Sequence, residues 1–177
     1  MNTIKDDVLQ IVGDELKSLR ERIIANHEAA GQVASGRTRA SIKVELTEDG
    51  GILWGRQAFV VLETGRKAGR VPSGFNAIIR QWVIDKGITV TPVPYKRTPS
   101  ERWQPKYTPE ERGLMSLSGA IAYKIRTEGT LMHRKGEKVD IYSTAVLETV
   151  DNVGRKVSVI FDTEVEHINL NFSKDED

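Results

Sequence analysis

The chain has 177 residues, 38% of them hydrophobic, no cysteine and a formal net charge of +1, which fits one modest core and excludes a disulfide framework, a thiolate nucleophile and a cysteine zinc site. Its apolar runs are a handful of residues long, far short of the ~20 needed to cross a bilayer. The opening MNTIKDDVLQ has no apolar signal core, so a chain that stays soluble where it is made, with no membrane partner, is expected.

From Thr3 to about Ala30 the residues Ile4, Val8, Ile11, Val12, Leu19 and Ile23 recur at three- and four-residue spacings, which predicts a long amphipathic helix. Gly13 weakens it by about 1 kcal/mol relative to Ala, and Gly31 and Gly36 bracket its end. Between Arg39 and Thr47, Ile42, Val44 and Leu46 alternate with Lys43 and Glu45, the pattern of a half-buried strand. Asp49-Gly50-Gly51 then turns the chain into Ile52-Leu53-Trp54, a hairpin.

Gln57 to Glu63 is too short for periodicity to separate a strand from two helical turns, and is read as a short helix. Thr64 to Gly74 holds three glycines and Pro72 and must be irregular. Phe75, Ile78, Ile79, Trp82 and Val83 form a helical stripe that Lys86-Gly87 stops. Residues 89–108 carry prolines at 92, 94, 99 and 105, which predicts an extended proline-rich arm with at most a short edge strand around Thr89 to Val93.

Thr108-Pro109-Glu110-Glu111 combines an N-cap threonine, a proline at the first helical position and a glutamate three residues after the cap. The helix it starts keeps Leu114, Leu117, Ile121 and Ile125 on one face up to Gly129. His133 to Lys138 reads as a polar loop. From Ile141, the residues Val146, Val150, Val153, Val157, Ile160 and Val165 hold a near-heptad rhythm, so one long helix to about Glu166 is expected, with a strand at Lys156 to Phe161 as the alternative. The sum is a single α+β domain over residues 1–172, followed by an acidic tail, 173–177.

Chemistry is sparse. His27, His133 and His167 lie far apart with no paired spacing, so no metal site is expected. Ser41 and Ser118 have no adjacent base and there is no nucleophile elbow. The loop Gly65-Arg66-Lys67-Ala68-Gly69-Arg70 lacks the Gly-Lys-Ser/Thr of a nucleotide-binding loop. The expectation is a chain without catalytic residues or cofactor, and not an enzyme.

Binding is better supported. Residues 54–107 hold 10 Lys and Arg against 3 Asp and Glu, whereas residues 1–53 hold 7 against 9 and residues 108–177 hold 9 against 13. A basic middle and acidic ends can attract copies of the chain or a charged partner. Arg66, Lys67 and Arg70 on a glycine turn can follow a polyanion or an acidic protein surface. Glu63 either caps that turn or pairs with Arg66 or Arg70. Tyr95, Trp103 and Tyr107, interleaved with Lys96, Arg97, Arg102 and Lys106, suit base stacking or anchoring to a neighbouring subunit, the reading favoured for an arm that reaches outward. The candidate interface is therefore Glu63, Arg66, Lys67, Arg70, Tyr95, Arg97, Arg102, Trp103 and Tyr107. The rival reading is a non-specific nucleic-acid-binding module built on residues 54–107.

Several segments in order carry a resemblance: Gly-Arg-Thr-Arg-Ala-Ser-Ile at 36–42, Glu-Thr-Gly-Arg-Lys-Ala-Gly at 63–69, Trp-Val-Ile-Asp-Lys-Gly-Ile at 82–88 and Ala-Ile-Ala-Tyr-Lys-Ile-Arg-Thr-Glu-Gly-Thr at 120–130. Together, over most of residues 1–155, they resemble the neck and tail-completion (head-to-tail joining) proteins of tailed bacteriophages. The arm at 89–108 is longer than that pattern, and the end of the chain matches it less. The resemblance implies an α+β fold, a small twisted sheet packed by helices, which with the elements read above gives a small twisted antiparallel sheet packed by a long N-terminal helix, two or three middle helices and a long C-terminal helix. It also implies a virion protein, assembled in the host cytoplasm, that forms a homo-oligomeric ring at the neck or tail junction and joins portal or connector to tail. In such a ring Arg66, Lys67 and Arg70 are candidates for facing DNA in the channel without sequence preference.

Overall fold

A computed structural model describes residues 4–97, 99, 100, 102 and 104–172, with side chains up to His167. In chain order the elements are α1 (Ile4–Ala29), α2 (Arg37–Ala40), β1 (Lys43–Thr47), β2 (Gly50–Trp54), a 3-10 turn (Gln57–Val61), α3 (Phe75–Asp85), α4 (Pro109–Glu128), α5 (Leu131–Lys135) and α6 (Ser143–Phe172). The fold is mixed helix with a small two-stranded antiparallel sheet, begun by one long helix and closed by another. The expected C-terminal helix forms from Ser143 to Phe172, Lys156 to Phe161 included, and the strand alternative there is not realised. β-branched residues weaken a helix in isolation, but packing along a partner helix outweighs that preference.

Contacts divide the chain into two compact units, one of Met1–Val33, Arg37–Glu63 and Asp140–Asp177, the other of Ala34–Gly36 and Thr64–Val139. In the first unit α1 buries Glu15, Leu19, Ile23 and His27, one residue per turn, and runs antiparallel to α6. Arg22 pairs with Glu148, and Glu15 with Lys156 at 2.6 Å. Asn26 Nδ2 donates to the Ile141 carbonyl at 3.1 Å. The hairpin lies on α1: Val44 faces Leu53 and Leu46 faces Gly51 in register, and Leu46 reaches down to Gly13. Gly13 thus belongs to a packing contact, although it lowers helix propensity. The two-residue turn is Glu48-Asp49, since Thr47 pairs with Gly50.

The second unit is built on α3 and α4. Ile79, Val83 and Ala122 are buried, and Phe75, Val90, Leu114, Leu117, Ile121 and Ile125 pack around them. The predicted start of α4 is realised in full: Thr108 Oγ1 accepts from the Glu111 N–H at 3.1 Å, and Glu111 Oε2 accepts from the Thr108 N–H at 2.8 Å. Two expectations need correction. No edge strand forms at Thr89 to Val93 among the described residues. The prolines leave few donors for a ladder, and the segment's polar groups go to α4 instead, with Val93 N–H donating to the Pro109 carbonyl at 2.8 Å. The predicted polar loop at His133 to Lys138 begins as the short helix α5, which Gly136 ends in a left-handed conformation.

Candidate functional site

The run from Val60 to Arg70 separates into two environments. Glu63 is only 8% exposed. Its Oε1 accepts three backbone N–H groups, from Ile141 at 2.9 Å, Tyr142 at 2.6 Å and Ser143 at 2.8 Å, and the Ser143 hydroxyl donates to Oε2. These donors include the otherwise unpaired amides at the start of α6, where the helix dipole also favours an anion. Burial by itself would raise the carboxyl pKa. The Ser143 hydroxyl and the three amides together outweigh it, and the pKa falls below its ordinary 4.5. The Tyr142 ring packs on Phe59 with centroids 5.2 Å apart, and burial, then the Glu63 charge, push its phenol up. Of the two roles open to Glu63, capping is the one realised, and the helix capped is α6. Its carboxylate holds this unit together and is not part of an exposed face.

The cations past Glu63 sit on a loop fixed to the end of α4. Arg66 N–H donates to Thr130 Oγ1 at 2.9 Å, and the Arg66 carbonyl accepts from Thr130 N–H at 2.8 Å. Gly69 N–H donates to the Arg126 carbonyl at 2.9 Å. Gly129 adopts φ 84°, and a Cβ there would lie 2.7 Å from the Arg66 carbonyl oxygen, so the close approach requires glycine. Arg66 turns inward, its guanidinium bonded to the Arg70 carbonyl and 6.0 Å from the Phe75 ring centroid. Lys67 and Arg70 remain exposed. Arg126 lies over the Tyr123 ring at 5.6 Å, and Tyr123 is 62% exposed. The backbone bond from Gly69 sets the Arg126–Tyr123 pair beside the loop that carries Lys67 and Arg70. Tyr123 and Arg126 were absent from the sequence-derived interface. Their one signal was an exposed aromatic on the polar side of the α4 stripe.

The arm residues form another cluster. Arg112 donates to the carbonyls of Val93 at 3.0 Å and Pro94 at 2.8 Å, with its guanidinium 4.0 Å over the Tyr95 ring. Tyr95 donates its hydroxyl to the Tyr107 carbonyl at 2.9 Å. A cleft of about 510 Å³ is lined here by Tyr95, Arg97, Pro99, Pro105, Lys106 and Tyr107, among others. Arg102 is exposed, and Trp103 lies outside the described residues. Tyr95, Arg97 and Tyr107 are thus brought together, as are Arg66, Lys67 and Arg70.

Charge separates with the two units. The unit containing α3 and α4 carries 15 Lys and Arg against 6 Asp and Glu, a balance of +9, and the other carries 11 against 19, a balance of −8. Among the described residues no group of three or more His, Cys, Asp or Glu is placed to hold a metal ion, and no helix is long and apolar enough to cross a membrane. No protein-family model, curated protein or solved structure matches the chain.

Proposed function

We propose that this chain is a non-enzymatic building block whose copies fit side to side, a virion protein of a tailed phage that forms a ring at the neck or tail junction and joins portal or connector to tail around the DNA channel. The observation that carries the reading is the division of charge into a −8 unit and a +9 unit within one polypeptide. A ring is a heterologous, closing assembly in which one face of a subunit complements a different face of the next. Opposite charge on two units of the same chain supplies that complementarity and disfavours like-with-like pairing. The sequence resemblance supplies the place in the particle, and host cytoplasm is where assembly would occur.

Electron microscopy of the purified chain mixed with its connector should show a closed ring. A persistent monomer without affinity for virion proteins would refute the proposal. The +9 unit also favours a second reading, non-specific nucleic-acid binding through Lys67, Arg70 and the Tyr95–Tyr107 cluster. In that case the isolated subunit binds DNA tightly, with an affinity that falls steeply between two salt concentrations.

A further inference from the structure

Among the described residues α6 leaves several large apolar side chains open to solvent, Val150 at the rim of a cleft shared with α1 and Leu53 and the others further round the helix. Leu147, Val150, Phe161 and Val165 are 67%, 64%, 51% and 55% exposed. At 3.6 residues per turn they fall within roughly a quarter turn of one another, along about 27 Å of helix. Ala145 and Thr149, on the opposite face, are buried. Gly154 and Ser158 lie on the same face between Val150 and Phe161, so the exposed apolar residues form two patches, Leu147 with Val150 and Phe161 with Val165, of the kind that can mark an interaction site. One edge of this face carries the exposed Asp151, Asp162 and Glu166, with Arg155 the one cation among them.

That edge identifies the occupant. If α6 paired antiparallel with α6 of a second copy about a two-fold axis, the acidic edges would lie side by side and repel, and a parallel pairing, which sets them on opposite sides, would leave each without a cationic counterpart. The matching surface lies on the other unit of the same chain. Arg126 on α4 lies over Tyr123, and the loop that carries the exposed Lys67 and Arg70 is tied to the Arg126 carbonyl through the Gly69 N–H. An exposed Tyr beside an arginine is the kind of pair enriched in interface hot spots. We propose that copies join head to tail, the surface carrying Lys67, Arg70, Arg126 and Tyr123 of one copy seating on the acid-edged face of α6 in the next. This deepens the assembly reading above and rests on it.

The test is a charge swap followed by mixing. The variants are D151K/D162K/E166K and K67E/R70E/R126E, with circular dichroism to check that each keeps its helix content. In sedimentation at low ionic strength the wild-type chain should self-associate. Each variant alone should associate at least about 100-fold more weakly, because it now presents two faces of like charge. An equimolar mixture should recover the large species, because each face again meets its opposite. V150S/F161S, which leaves every charge in place, should also weaken association. Variants that assemble like the wild type, a mixture that stays monomeric, or a wild-type chain that never self-associates would each overturn the proposal. An image of a ring on the connector in which these faces do not meet would refute this pairing and leave the ring itself standing.

Discussion

The two long helices that start late in the chain are capped in opposite ways. Thr108 and Glu111 close the first turn of α4 from within four residues, whereas the first turn of α6 is closed by Glu63, from about 80 residues upstream. The local cap fixes where a helix begins. The remote cap also fixes which parts of the chain stay together, since Glu63 and Asp140 are the residues that flank the long insertion 64–139 within one compact unit. A carboxylate spent in this way is structural, although in sequence it stands beside the cations of a binding loop.

The largest effect expected from breaking this comparison is at Glu63. Glu63→Ala strips the acceptor from three amides and a hydroxyl, and should cost about 3 kcal/mol or more in urea unfolding. The pH dependence sharpens the point. Because the folded pKa is depressed, the stabilisation is fully present above the ordinary value of 4.5 and is lost as pH falls through the folded value. Acid titration of Glu63→Gln should lack that portion of the stability loss. An unchanged acid profile would show that the carboxylate charge is not what α6 uses.

Next in size is the close approach in the α4 unit. A Cβ at Gly113 would lie 2.2 Å from the Thr91 carbonyl oxygen, a backbone atom that cannot swing aside. Gly113→Ala should therefore cost about 1–3 kcal/mol by overpacking, despite the higher helix propensity of alanine. A rise in melting temperature would mean that residues 89–93 do not cross α4 there. Smallest is the local cap: Thr108→Ala should cost about 1 kcal/mol, read as a drop in melting temperature. A Thr108 effect equal to that of Glu63 would erase the distinction between near and remote caps.

What could be read from the sequence follows the same division. The α1 stripe, the hairpin, the α3 stripe with its glycine stop and the Thr108 capping box were legible because each depends on residues within a turn or two of one another. The course of residues 89–93 was not, because proline content shows that a ladder is disfavoured but does not show that Arg112 collects the freed carbonyls. The candidate interface was partly legible for the same reason. Arg66, Lys67 and Arg70 are neighbours in sequence, yet the Arg66 guanidinium folds back on the Arg70 carbonyl and the loop of the exposed pair is tied to Arg126, more than 50 residues later.

By itself the sequence determined the mixed helical and hairpin content, the starts and stops of most elements and the concentration of positive charge in the middle of the chain, because periodicity, caps and glycine turns act over a few residues. Only the tertiary structure decided that Glu63 serves α6, that the cationic loop is tied to Arg126 and Thr130 at the end of α4 and that the two compact units carry opposite charge. Those outcomes depend on which distant segments bury surface together, and burial is set by the packed whole rather than by any one window of the chain.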